Sequence, residues 1–191
     1  MHRRLTRSLV SVVVAAALTS GCAAAEEPAR VKERGEARVS DGEPQQTEEA
    51  EGPGTAKVGD TVEVGDWDVR VTKVVQDAGT IIEQANEFND PAKRQYLLLT
   101  YAATYQGSER TADAWVDLTW TYTTATNKVR SEASVVTPAD SNLNSTTTAR
   151  SGGTVTGQVA FDVSPEDIKQ GILTVEGYDA DFSTIYADFT L

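Results

Sequence analysis

A single cysteine and a single histidine bound the chemistry available to this chain of 191 residues. The histidine is His2 and the cysteine is Cys22, so beyond residue 22 there is neither an imidazole nor a thiol. That excludes Ser-His-Asp and Cys-His nucleophilic sites there, and zinc held by the usual nitrogen and sulfur ligands. An intramolecular disulfide is excluded too, and no cofactor or metal is expected. What remains is the chemistry of carboxylates, amides and aromatic faces. Asn86 and Asn89 precede Pro91; their expected role is turn formation through their own side chains, with ligand contact the alternative. Trp115 falls opposite Trp120 on a regular alternation and beside Asp117. An exposed indole there would stack on a sugar or a partner surface, whereas packing at a sheet edge is the plainer role. Asp179, Asp181 and Asp188 carry oxygen ligands but lack the glycine-bracketed spacing of a calcium loop, so a solvated acidic loop is expected.

Cys22 is the residue whose surroundings specify a reaction. Arg3, Arg4 and Arg7 form a positive start, and Leu9 to Leu18 is a predominantly apolar run. A spanning helix needs about 20 such residues, so this shorter run reads as the hydrophobic part of a signal peptide. Leu18-Thr19-Ser20-Gly21-Cys22 resembles the lipobox of bacterial prolipoproteins, with Thr19 where leucine is preferred. The resemblance implies that the Cys22 sulfur accepts a diacylglyceryl group and that cleavage falls between Gly21 and Cys22. Two acyl chains suffice for stable membrane attachment.

Residues 1–21 are thus read as the signal peptide, and 22–56 as the lipidated cysteine and an acidic linker. Residues 23–54 hold nine acids and four bases, with Val31 and Val39 the only large apolar side chains. Such a stretch buries too little to offset its ordering entropy. It is expected to be a disordered tether with a reach of about 30 Å. The chain carries a formal charge of −12, and the part from Cys22 onward has 14 basic against 29 acidic residues, or −15. Charge of that sign repels nucleic acid, which is not expected as a partner.

From residue 57 to 191 the apolar period is two. Val62 and Val64, then Trp67, Val69 and Val71, alternate with polar neighbours, and Val116, Leu118, Trp120 and Tyr122 read as a further strand. Tyr96 to Tyr105 is apolar on both faces at first, as a central strand would be. Val155 to Val163, Leu173 with Val175, and Ile185 to Leu191 complete the pattern, and Pro165 to Ile168 fits one helical turn. Seven or eight short strands separated by Gly, Asn and Pro signals predict an all-β sandwich. Val58-Gly59-Asp60-Thr61-Val62, Asn86-Glu87-Phe88-Asn89-Asp90-Pro91 and Gly152-Gly153-Thr154-Val155 are similar to a telokin-like, immunoglobulin-fold domain of Gram-positive lipoproteins and secreted proteins. The secreted immunoprotective antigen of mycobacteria belongs to that family. The resemblance covers about residues 57–191 and implies an immunoglobulin-like sandwich outside the cytoplasm, with no catalytic residue to transfer. Some relatives carry a cysteine pair at the positions of Val135 and Ala160.

These readings converge on a monomeric, lipid-anchored, non-catalytic interaction module on the outer face of the cell membrane, with a protein or glycan of the envelope as partner. A glycosidase working with paired carboxylates is the alternative, since that chemistry needs no histidine. An accessory subunit of a membrane transport or secretion complex is another.

Overall fold

The computed structural model describes residues 27–28, 31–33, 55–140, 146–179 and 181–191. Strands run in the order β1 (Glu27–Pro28), β2 (Val31–Glu33), β3 (Ala56–Lys57), β4 (Thr61–Val64), β5 (Trp67–Val75) and β6 (Gln95–Tyr105). They continue with β7 (Ala112–Asp113), β8 (Thr119–Thr123), β9 (Val129–Ser131), β10 (Thr148–Ala149), β11 (Thr154–Val163), β12 (Ile172–Tyr178) and β13 (Thr184–Thr190). Three short helices interrupt them: α1 (Gly79–Ala85), α2 (Ala114–Asp117) and α3 (Pro165–Ile168).

Two open sheets pack face to face as a β-sandwich. One has the order β11-β6-β5-β4-β2, and the other β1-β13-β12-β8-β9, with β3 also pairing along β13. The alternation seen in sequence is what divides each strand between core and solvent. Val62, Val64, Trp67, Val69, Leu97 and Leu99 point inward from the first sheet, to meet Trp120, Tyr122, Leu173, Val175 and Phe189 of the second. Two ring pairs join the sheets: Tyr101 with Trp120 at 5.0 Å, and Tyr122 with Phe161 at 6.0 Å. The Tyr122 hydroxyl donates to the Ile168 carbonyl at 2.9 Å. Burial, with Asp167 nearby, pushes its pKa up to about 12, so it remains a donor.

The apolar character of β6 on both faces has a physical reason. Leu97 and Leu99 face the core between the sheets, while Tyr96 and Leu98 face outward beneath α1, in a second cluster with Ala78, Ile82 and Ala160. Val135 packs against that cluster, to which Ala160 belongs.

Two features differ from the pattern reading. Residues 114–117 form a helical turn, and the strand begins only at Thr119. Val116 is consequently exposed and not a core residue. Within the stretch read as a tether, β1 pairs in parallel with β13 and β2 antiparallel with β4, one on each sheet. The rest of residues 22–54, together with Gly21, Cys22 and the signal segment, lies outside the described residues. Among those described, no helix is long and apolar enough to cross a membrane.

Candidate functional site

One end of the sandwich is built around two glycines and a helical cap. Gly65, at φ +56°, turns the β4–β5 hairpin, and a Cβ there would stand 2.1 Å from the Tyr178 carbonyl oxygen. Only glycine lets the hairpin tip close against the end of β12. Just beyond the turn, Trp67 lies in register with Tyr105 of β6, their rings 5.1 Å apart and tilted by 48°. The Tyr105 hydroxyl accepts the Glu109 N–H at 3.1 Å. A Cβ on Gly107 would fall 2.4 Å from that hydroxyl and 2.6 Å from Asp66 Oδ2, so phenol and carboxylate crowd together over a residue that must stay bare.

The opposite wall is α2. Asp113 caps it, accepting the Trp115 N–H at 3.0 Å and the hydroxyls of Thr147 at 2.6 Å and Thr148 at 3.1 Å. Burial works to raise the Asp113 pKa, but the bonds from Thr147, Trp115, Thr148 and Val116 outweigh it and hold the carboxyl below its ordinary value. At the other end of the turn, Asp117 Oδ2 accepts the Trp67 Nε1–H at 3.1 Å. The third wall is the β12–β13 turn. There Asp179 Oδ1 accepts the N–H groups of Asp181 at 2.9 Å and Ser183 at 2.8 Å. The Phe182 N–H donates to the Asp179 carbonyl at 3.0 Å, and Phe182 itself sits at φ +60°.

These walls enclose a cavity of about 570 Å³. Trp67 and Tyr105 form its buried floor, and Val116, Tyr178 (63% exposed) and Phe182 (87% exposed) its rim. Asp66, Glu109 and Asp117 line it as well, and among the described residues no Lys or Arg does.

A second cavity of about 530 Å³ lies on the other flank of α2 and gathers Asn86, Asn89 and Trp115. Trp115 is 73% exposed and shares this rim with Phe88, also exposed. Asn86 Oδ1 accepts the Phe88 N–H at 3.0 Å, an Asx turn. Asn89 does more than turn the chain. Its Nδ2 donates to the carbonyls of Ile82 (2.7 Å) and Val136 (2.8 Å), and its Oδ1 accepts the Val136 N–H at 2.8 Å. It fastens α1 to the segment after β9, which commits its amide to structure. Glu132 lines this cavity. The residue is exposed, yet its carboxyl turns in far enough to accept the Trp120 N–H at 3.3 Å. Desolvation, helped by Asp140, raises its pKa against the lowering effect of that bond.

The residues singled out in sequence therefore divide between two places. Trp115, Asn86 and Asn89 share one cavity, while Asp117 belongs to the other as the partner of Trp67. Asp188 does not join Asp179 and Asp181, because its carboxylate accepts the Thr174 hydroxyl at 2.7 Å within the sheet. Among the described residues no group of three His, Cys, Asp or Glu side chains is placed to hold a metal ion. The pattern reading missed Asp66, Glu109, Tyr178 and Phe182. A large ring in the otherwise polar run Asp179-Ala180-Asp181-Phe182-Ser183 was the signal available.

No family model matches the chain. No curated protein is significantly similar to it. Among solved structures it is similar to the YjhA protein of Bacillus subtilis, with 14% identity, 70% of this chain and 98% of that one covered, and a TM-score of 0.49. A secreted protein of Mycobacterium tuberculosis is similar at 16% identity over 70% and 95% of the two chains, with a TM-score of 0.48. A candidate lipoprotein of Bacillus subtilis is similar at 13% identity over 70% and 38%, with a TM-score of 0.46.

Proposed function

We propose that this protein is a non-catalytic binding module, held outside the cell membrane by a lipid on Cys22, and that the aromatic end cavity is where it binds. Phe182 carries the reading. A bulky residue at positive φ costs strain that Gly or Asn would avoid, and an 87% exposed ring recovers little of that by burial. Strain kept without a packing reward is characteristic of binding sites. The ring stands on the rim of a cavity whose volume falls in the range of small-molecule sites. Asp117 is occupied in holding the Trp67 indole, which favours binding over hydrolysis at this cavity.

Amide NMR of the purified protein, titrated with fractions of the cell envelope, tests the site. The expected result is a set of shifts confined to residues 65–67, 105–109, 116–117 and 178–183. Shifts elsewhere, or none with any fraction, overturn it. The anchor has its own test: membrane-extracted protein should carry a diacylglyceryl mass on Cys22, and Cys22→Ser should leave the membrane fraction.

A further inference from the structure

We infer that the end cavity takes an organic ammonium group, an inference that rests on that cavity being a binding site. Its lining combines two chemistries. The rings of Tyr178 and Phe182 stand exposed at the rim above Trp67 and Tyr105, and three acidic residues, Asp66, Glu109 and Asp117, line the same space, with no Lys or Arg among the described residues that do.

Each simpler occupant fails on one of the two. An anion meets three like charges in a chain already at −12. A purely apolar ligand would strip water from carboxylates and return no partner for them. A bare divalent cation needs six or more oxygen ligands, or a hydrated octahedron, and gains nothing from rings on the rim. A cation clothed in carbon satisfies both: its charge faces the carboxylates, and its C–H surface lies on the ring faces, where the quadrupole attracts it. At about 570 Å³ the cavity is larger than such a group and leaves space for the rest of a larger molecule that carries it.

The group has two conceivable sources, a free small molecule and the headgroup of a membrane lipid, and the experiment separates them. Choline and its neutral isostere 3,3-dimethylbutan-1-ol are titrated into the protein with the amide shifts of residues 178–183 as readout. Choline is expected to bind more tightly by about tenfold, a preference that shrinks with added salt. Phe182→Ala and Glu109→Gln should each weaken choline, the latter without touching the backbone N–H that Glu109 gives to Tyr105. In nanodiscs, the same shifts appearing with phosphatidylcholine and absent with phosphatidylglycerol alone assign the group to a lipid. Shifts with choline only assign it to a free molecule. Equal binding of choline and the neutral alcohol overturns the ammonium inference and leaves the binding site standing. If neither ligand nor either nanodisc moves these residues, the inference falls outright, and the envelope titration then decides the site independently.

Discussion

Asn127 and Phe182 are the two non-glycine residues with left-handed backbone among those described, at φ of 59° and 60°. Asn127 needs no special account, because Asn tolerates that region and here closes the turn between Thr124 and Lys128. Phe182 makes a similar turn with the wrong residue for it. If the ring is kept for binding, removing it should help the fold. Phe182→Gly is expected to raise stability by about 0.5–1 kcal/mol, the relief of left-handed strain less the extra freedom glycine gives the unfolded chain. The same change should abolish ligand-induced shifts at the end cavity. Denaturant unfolding beside the NMR titration reads both. A variant that unfolds at lower denaturant than the parent would show that the ring stabilises the turn, and the functional reading of Phe182 would go with it.

At the scale of elements, period-two patterns were legible and short helical insertions were not. Trp67 to Val71, Tyr96 to Tyr105 and Val155 to Val163 each lie on strands that the sequence marks by alternation, because sandwich strands bury one face over many residues. In α2, Ala114 and Leu118 are buried and lie one helical turn apart, while Val116 between them is exposed. Over four residues that spacing imitates a strand, since 114, 116 and 118 also alternate. Asp113 was the available clue, an N-cap residue directly before the turn. The bonds of Asn89 to Val136 had no clue, for an amide reaching backbone 47 residues away leaves no local pattern. Since α2 supplies Val116 and Asp117 to one cavity and Trp115 to the other, its cap bears on both. Asp113→Ala is expected to cost about 1 kcal/mol at neutral pH and to shift the Trp67 indole N–H signal as Asp117 moves away. The folded pKa of Asp113 is depressed, so its contribution is complete above the unfolded value of about 3.9 and is lost as pH falls through the lower folded value. The gap between parent and variant should therefore close in acid. A gap that persists unchanged at pH 2 would mean that packing, and not the cap, was lost.

For the whole molecule, the direction in which the chain enters the sandwich would decide which end of a domain anchored through Cys22 faces the membrane. Glu27 pairs with Ile185 and Pro28 with Tyr186, in parallel with β13, which starts just after the Phe182 turn. Glu27, where the described chain begins, therefore lies at the cavity end of β13, and Pro28 lies further from it. Cys22 is five residues earlier, a span of at most about 18 Å however extended. With a lipid on Cys22, the cavity end would be drawn toward the headgroups, well inside the reach of about 30 Å expected of a free tether. Because Cys22 is the only thiol, the unlipidated protein can be coupled there to a maleimide lipid in a nanodisc carrying gadolinium-chelated headgroups. Amide signals of residues 65–66, 116–117 and 181–183 should broaden most, and those of Gly171 and Leu191, at the far end of β12 and β13, least. Replacing Glu27 and Pro28 with a flexible Gly-Ser pair should weaken the pairing along β13 and even out the broadening. Uniform broadening in the parent protein would show that the domain tumbles freely on its tether, with neither end preferring the membrane.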